Sequence, residues 1–195
     1  MSQRGPSILS QDAFSAIELL VTMSIILILA GLILATGQYA QIAAKRSRAG
    51  AEMVGLSTAL ENYKTDNGVY PIDTVNATTN SLDPRTMLNP TAVQYTAASL
   101  FLYKQLSGDP VGNRTPTEKS YFTFRPGMLL PENQSDGVTA IVDPFGYSYG
   151  YSTAGQTDPT RGYNPTFDLW STAGTGTTVT PPPGSPPQDR WIKNW

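Results

Sequence analysis

This sequence predicts an α+β fold, with one long N-terminal α-helix packed on a small antiparallel β-sheet domain. Three observations point there. Residues 14–40 are almost wholly apolar. Residues 41–67 hold no proline and space their apolar side chains as one helical stripe. Most of the Gly and Pro fall after residue 67, among short runs suited to strands and turns.

The elements follow in order. Residues 1–13, MSQRGPSILSQDA, form a short polar leader. From Leu19 to Gly37 there is no charged residue, and these nineteen positions of helix rise about 28 Å, close to the ~30 Å hydrocarbon core of a bilayer. Residues 14–40 therefore read as a transmembrane segment. In residues 41–67 the stripe is Ile42, Ala49, Met53, Leu56, Leu60 and Tyr63, and the opposite face is assigned Arg48, Glu52, Glu61 and Lys64. Asn67-Gly68 predicts the stop, with Gly68 in the left-handed cap position. A single helix over 14–67 would be about 80 Å long.

Residues 68–195 make the globular domain. The stretch 68–90, with Pro71, Pro84 and Pro90, predicts a loop. Residues 93–107 predict a helix that buries Leu100, Leu102 and Leu106. Strands are expected at Ser120–Phe124, Val138–Val142, Ser148–Ser152 and Thr166–Ser171, separated by turns at 125–127, 143–146 and 162–165. Tyr147, Tyr149 and Tyr151 alternate as on a half-exposed strand face. Tyr63, Phe145, Phe167 and Trp170 are expected core aromatics. Residues 172–188, ending in Pro181-Pro182-Pro183 and Pro186-Pro187, predict an extended surface loop.

Composition removes several function classes. With 14% charged residues and a net charge of -2, nucleic acid has no basic surface to bind. Lys45, Arg46 and Arg48 are the one local cluster and read as a solvated helix face. The chain has no histidine and no cysteine, so neither a Ser-His-Asp site nor a disulfide can be built. Asp143 and Asp168 are the paired carboxylates that a membrane-anchored hydrolase would have for acid–base work.

Glu18 stands apart. A carboxylate at the edge of an apolar segment costs of order a few kcal/mol if ionised and buried in lipid, so it calls for a partner. Its surroundings, Asp12-Ala13-Phe14-Ser15-Ala16-Ile17-Glu18-Leu19-Leu20-Val21, resemble the processing signal of type IV prepilins and type II secretion pseudopilins. The resemblance implies cleavage by a prepilin peptidase between Ala13 and Phe14, N-methylation of Phe14, and pairing of Glu18 with the Phe14 amine of a neighbouring subunit during filament assembly. Ala13 stands where that family usually has Gly.

Tyr63-Lys64-Thr65-Asp66-Asn67-Gly68-Val69-Tyr70-Pro71 is similar to the helix exit of major, GspG-like pseudopilins. Asp143-Pro144-Phe145-Gly146 and Phe167-Asp168-Leu169-Trp170-Ser171 resemble a turn and strand of the same proteins. The resemblance implies a pilin-like fold and a subunit of a type II secretion pseudopilus with no catalytic activity. Its partners would be further copies of itself, minor pseudopilins and the inner-membrane assembly proteins. It would be a single-pass inner-membrane protein with its C-terminal domain in the periplasm. That orientation runs against the basic residues that follow the apolar run, which alone would keep the domain cytoplasmic. Gly31 and Gly37 would permit close helix approach.

Major pseudopilins often hold calcium after the strand that matches 167–171. Here residues 172–188 contain no acid, and only Asp168 and Asp189 stand near, against the six to eight oxygens calcium takes. No cofactor is therefore expected. Two other readings stay open at this point: a type IV pilus subunit for adhesion, motility or DNA uptake, and a generic membrane-anchored enzyme or binding protein.

Overall fold

The first helix, α1, runs from Ala16 to Asn67. Here and below the structure is a computed structural model that describes residues 15–175 and 187–195, without the side chains of residues 34–37 and 187. The chain divides into two units, residues 1–43 and 44–195.

In the first unit, helix 16–43 is apolar on every side, and the large side chains from Ile17 to Ile33 are all exposed. Such a helix has no core of its own to enter and matches a lipid or helix-bundle environment. One 18-residue window reaches a mean hydropathy of 2.7. Two of its hydroxyls bond within the helix: Thr22 Oγ1 donates to the Leu19 carbonyl at 3.0 Å and Ser24 Oγ to the Leu20 carbonyl at 2.7 Å.

The second unit opens with the remainder of α1. Ala49, Met53, Leu56, Ala59 and Leu60 are buried at helical spacing, while Ile42, expected on the same stripe, is exposed. Gly68 ends the helix at φ 78°, and its N–H bonds the Lys64 carbonyl at 2.7 Å. The loop that follows contains a short helix, α2 (Thr78–Ser81), which the prolines around it did not reveal. Helix α3 covers Val93–Ser107, as its periodicity predicts, and buries Leu102 and Leu106; Leu100 is half-buried.

Two small antiparallel sheets complete the unit. Strands β1 (Leu129–Leu130) and β2 (Ala140–Ile141) pair with Leu129 opposite Ile141. Strand β3 (Gly150–Ser152) precedes a short helix, α4 (Ala154–Thr157). It pairs with β4 (Asp168–Ser171), which pairs in turn with β5 (Ile192–Lys193). Gly150 lies opposite Trp170, and a Cβ there would collide with the Trp170 indole.

The main core joins Met53, Leu56 and Leu60 of α1 to Leu102 and Leu106 of α3 and to Ile141, Tyr149, Tyr151 and Leu169. Each fully buried Leu contributes about 1.5–3 kcal/mol through removal from water. A second cluster sets Trp170 against Tyr95, Leu82 and Trp191. The Trp170 Nε1–H donates to the Tyr95 hydroxyl at 3.0 Å.

Three expectations are corrected. Ser120–Phe124 forms no strand: the N–H groups of Tyr121 and Phe122 both donate to the Leu106 carbonyl, at 2.8 and 3.0 Å, so the end of α3 takes the donors a ladder would have used. Tyr149 and Tyr151 are fully buried, not half-exposed. Their hydroxyls reach Glu52 and the Pro71 carbonyl, which makes that burial tolerable. Glu52 faces the core, not solvent. Of the expected core aromatics, Phe167 and Trp170 are buried, and Tyr63 and Phe145 are half-buried.

Candidate functional site

At the start of α1, Ser15-x-x-Glu18 has the pattern of a capping box. The Glu18 carboxylate turns back toward the amino end and accepts the Ser15 N–H at 2.9 Å. A donor that the first helical turn would leave orphaned is thereby satisfied. The carboxylate is exposed, at the positive end of the helix dipole, with Ile17 and Val21 beside it. Ala13 and Phe14 lie outside the described residues. Gly31 has open space around its Cα, and the surroundings of Gly37 lie outside the described side chains.

The second unit holds a different glutamate. Glu52 is 4% exposed. Its Oε1 accepts Arg48 Nε at 2.8 Å and Arg125 Nη2 at 2.6 Å, and its Oε2 accepts the Tyr149 hydroxyl at 2.9 Å. Burial, reinforced by the Glu52 charge, pushes the Tyr149 hydroxyl far above the phenol range, so it remains a proton donor at every physiological pH. Sequence reading put Glu52 on the outer face. A signal was present: it lies three residues after Ala49 and four before Leu56, on the edge of the apolar stripe, with Arg48 at i−4.

Buried aspartates organise the loops. Asp143 Oδ1 accepts the N–H groups of Phe145 and Tyr147 at 2.9 and 3.0 Å, and Oδ2 accepts the Ser171 hydroxyl. Burial lifts its pKa, against those hydrogen bonds. Asp168 holds the 162–165 turn through the N–H groups of Tyr163 at 2.8 Å and Asn164 at 2.9 Å. Burial lifts its pKa as well. Asp109 accepts from Gly112, Asn113 and Arg114 N–H and from the Tyr103 hydroxyl. Burial raises its pKa, but these donors together outweigh that and hold it below the ordinary range.

Asp143 and Asp168 are thus each committed to their own turn. Asp189 sits exposed in the 3₁₀ turn Pro187–Arg190. Among the described residues no three acids gather as an ion would need. Most of the loop 172–188, from 176 to 186, lies outside the described residues.

Comparison with known proteins adds one finding. The chain is 34% identical over 103 residues to Type II secretion system core protein G of Escherichia coli (strain K12), across 53% of this chain and 68% of that protein. No family model matches the chain. No solved structure matches it.

Proposed function

The chain belongs to the family of type II secretion system core protein G, the major pseudopilins, and from that membership we propose that it is a structural subunit of a secretion pseudopilus, not an enzyme. The observation that supports this most is the helix 16–43, apolar on all sides and exposed at every described side chain, with a single carboxylate in its first turn. Such a segment is stable only inside a membrane or packed among other apolar helices.

Maturation follows from the motif around Glu18. A prepilin peptidase removes residues 1–13 and Phe14 becomes the methylated amino terminus. Residues 14–40 then hold the chain in the inner membrane and pack in the filament, residues 41–67 carry the amphipathic half, and residues 68–195 form the periplasmic domain. Glu18 already points its carboxylate toward the amino end of its helix. In a filament the amine of a neighbouring Phe14 takes up the remaining acceptor capacity, so that each charge offsets the other's desolvation and the pair sets the axial register. Minor pseudopilins and the inner-membrane assembly proteins are the further partners. No resident metal is part of this reading: among the described residues, Asp109, Asp143 and Asp168 tie their loops through backbone N–H groups.

Intact mass and N-terminal sequencing of the protein from native membranes test the reading. The expected chain starts at methylated Phe14 and has 182 residues, the 195 of the sequence less the 13 of the leader. A chain that still begins at Met1 or Ser2 would sink it.

A further inference from the structure

At the end of the second unit where residue 44 enters, cations from three stretches of chain collect. They are Lys45, Arg46 and Arg48 on α1, Arg125 before the 3₁₀ turn Pro126–Met128, and Arg190 in the turn Pro187–Arg190. Contacts bring Arg125 beside Arg48 and the Arg190 backbone beside Arg46. Arg48 and Arg125 meet on one oxygen of Glu52. Arg46 Nη2 donates to the Arg190 carbonyl at 2.9 Å, and the Lys45 ammonium lies 5.7 Å from the centroid of the Phe145 ring.

The charge here is not balanced. Among the described residues, Glu52 is the only carboxylate that pairs with any of these five. Asp189 is exposed next to Arg190, and Asp143, in the turn with Phe145, is buried with its oxygens already bonded. A guanidinium carries five N–H donors. Arg48 and Arg125 each give one to Glu52, and their side chains remain 48% and 59% exposed.

We propose that this ring of cations docks on anionic phospholipid headgroups, phosphate diesters bridging Arg48 and Arg125 while Lys45, Arg46 and Arg190 add charge pairing. The idea rests on the reading of residues 14–40 as a membrane span. Lys45 comes eight positions after Gly37, the last residue of the charge-free run, and eight residues of helix rise about 12 Å. The headgroup layer adds roughly 5–7 Å to each side of the hydrocarbon core, and the flexible stems of Lys and Arg reach several ångströms along the axis. Tyr39 and Ile42, both exposed, precede the cations in sequence, as aromatic and aliphatic side chains do at a lipid–water boundary. A second copy of the chain is a poorer occupant, because it presents the same excess of positive charge.

The full chain, inserted at one copy per lipid nanodisc, allows the test. Backbone hydrogen exchange at residues 125–128 and 188–192 is compared between discs of phosphatidylcholine and discs that also contain phosphatidylglycerol. Exchange slows with the anionic lipid, and raised salt reverses the effect. Lys45→Gln and Arg190→Gln, neither bonded to Glu52, each raise the amount of anionic lipid required by about fivefold. Equal exchange in both lipids overturns the proposal. So does equal slowing by inorganic phosphate in phosphatidylcholine discs, which marks a free-anion site, or slowing in phosphatidylcholine only when discs hold several copies, which marks a contact between copies. Resistance of the chain to alkaline extraction from phosphatidylcholine membranes checks the span by itself, so its failure is distinct from failure of the ring.

Discussion

Two glutamates on one helix show how differently the two units use charge. Glu18, in the first unit, is exposed among apolar neighbours and has one described partner, the backbone N–H of Ser15. Glu52, in the second, is buried and takes two guanidiniums and a phenol. Glu52 is satisfied by its own chain, so its role is to hold the fold. Among the described residues Glu18 keeps acceptor capacity left open, and that fits a residue whose partner arrives with another subunit. The surrounding surfaces repeat the contrast. Apolar side chains near Glu18 are exposed, whereas those near Glu52 are packed against the sheets.

The sharpest way to break this comparison is to exchange the two phenotypes. Glu18→Ala should abolish filament assembly, read by cross-linking between subunits in native membranes, yet change the unfolding free energy of the second unit by less than about 0.5 kcal/mol. Unfolding measured by tryptophan fluorescence suits this, because all three tryptophans lie in that unit. Loss of stability in that variant would mean that Glu18 serves the fold after all.

Glu52→Ala should do the reverse. It strands the buried Tyr149 hydroxyl and releases Arg48 and Arg125, at a cost of about 2–4 kcal/mol in denaturant unfolding. Glu52→Gln should cost less, since a side-chain oxygen still accepts. An unchanged midpoint in Glu52→Ala would put its burial in doubt.

Asp109→Asn and Asp143→Asn sharpen the point about loops. At neutral pH, Asp109→Asn should cost about 1–3 kcal/mol, because an amide group would face the N–H of Arg114 or those of Gly112 and Asn113. Asp143→Asn should cost less, because the Ser171 hydroxyl can turn from donor to acceptor.

Their pH profiles should have opposite signs. The folded pKa of Asp109 is lowered, so its contribution is present above the ordinary carboxylate pKa and fades as pH falls through the folded value. That of Asp143 is raised, so its contribution is full below the ordinary value and is lost as pH rises through the folded one. Stability of wild type relative to each Asn variant, followed across the acid range, measures both slopes. Slopes of the same sign would refute the assignment.

The smallest effect is expected from chelation. Removing divalent ions should leave the melting temperature of the second unit unchanged within about 2 °C, the shift that roughly 0.5 kcal/mol would give in a domain of this size. A larger fall, reversed by calcium, would show that a metal does hold one of its loops.

The sequence by itself determined the features that local physics controls. The helix stop at Gly68 depends on one residue's freedom to take positive φ, and the bounds of α3 follow from its apolar spacing. The apolar run of the first unit is long enough to be legible without any partner. The tertiary structure alone decided what depends on distant chain. Glu52 is buried because Tyr149, 97 positions away, and Arg125, 73 away, bring it the donors that a buried carboxylate requires. Ser120–Phe124 reads as a strand by composition, but the free carbonyl at the end of α3 claims its N–H groups. The short strands β1 and β5 carry too few residues for an alternating pattern and exist only through their pairing with β2 and β4. Periodicity is a property of neighbours in sequence, whereas satisfaction of buried polar groups is a property of neighbours in space.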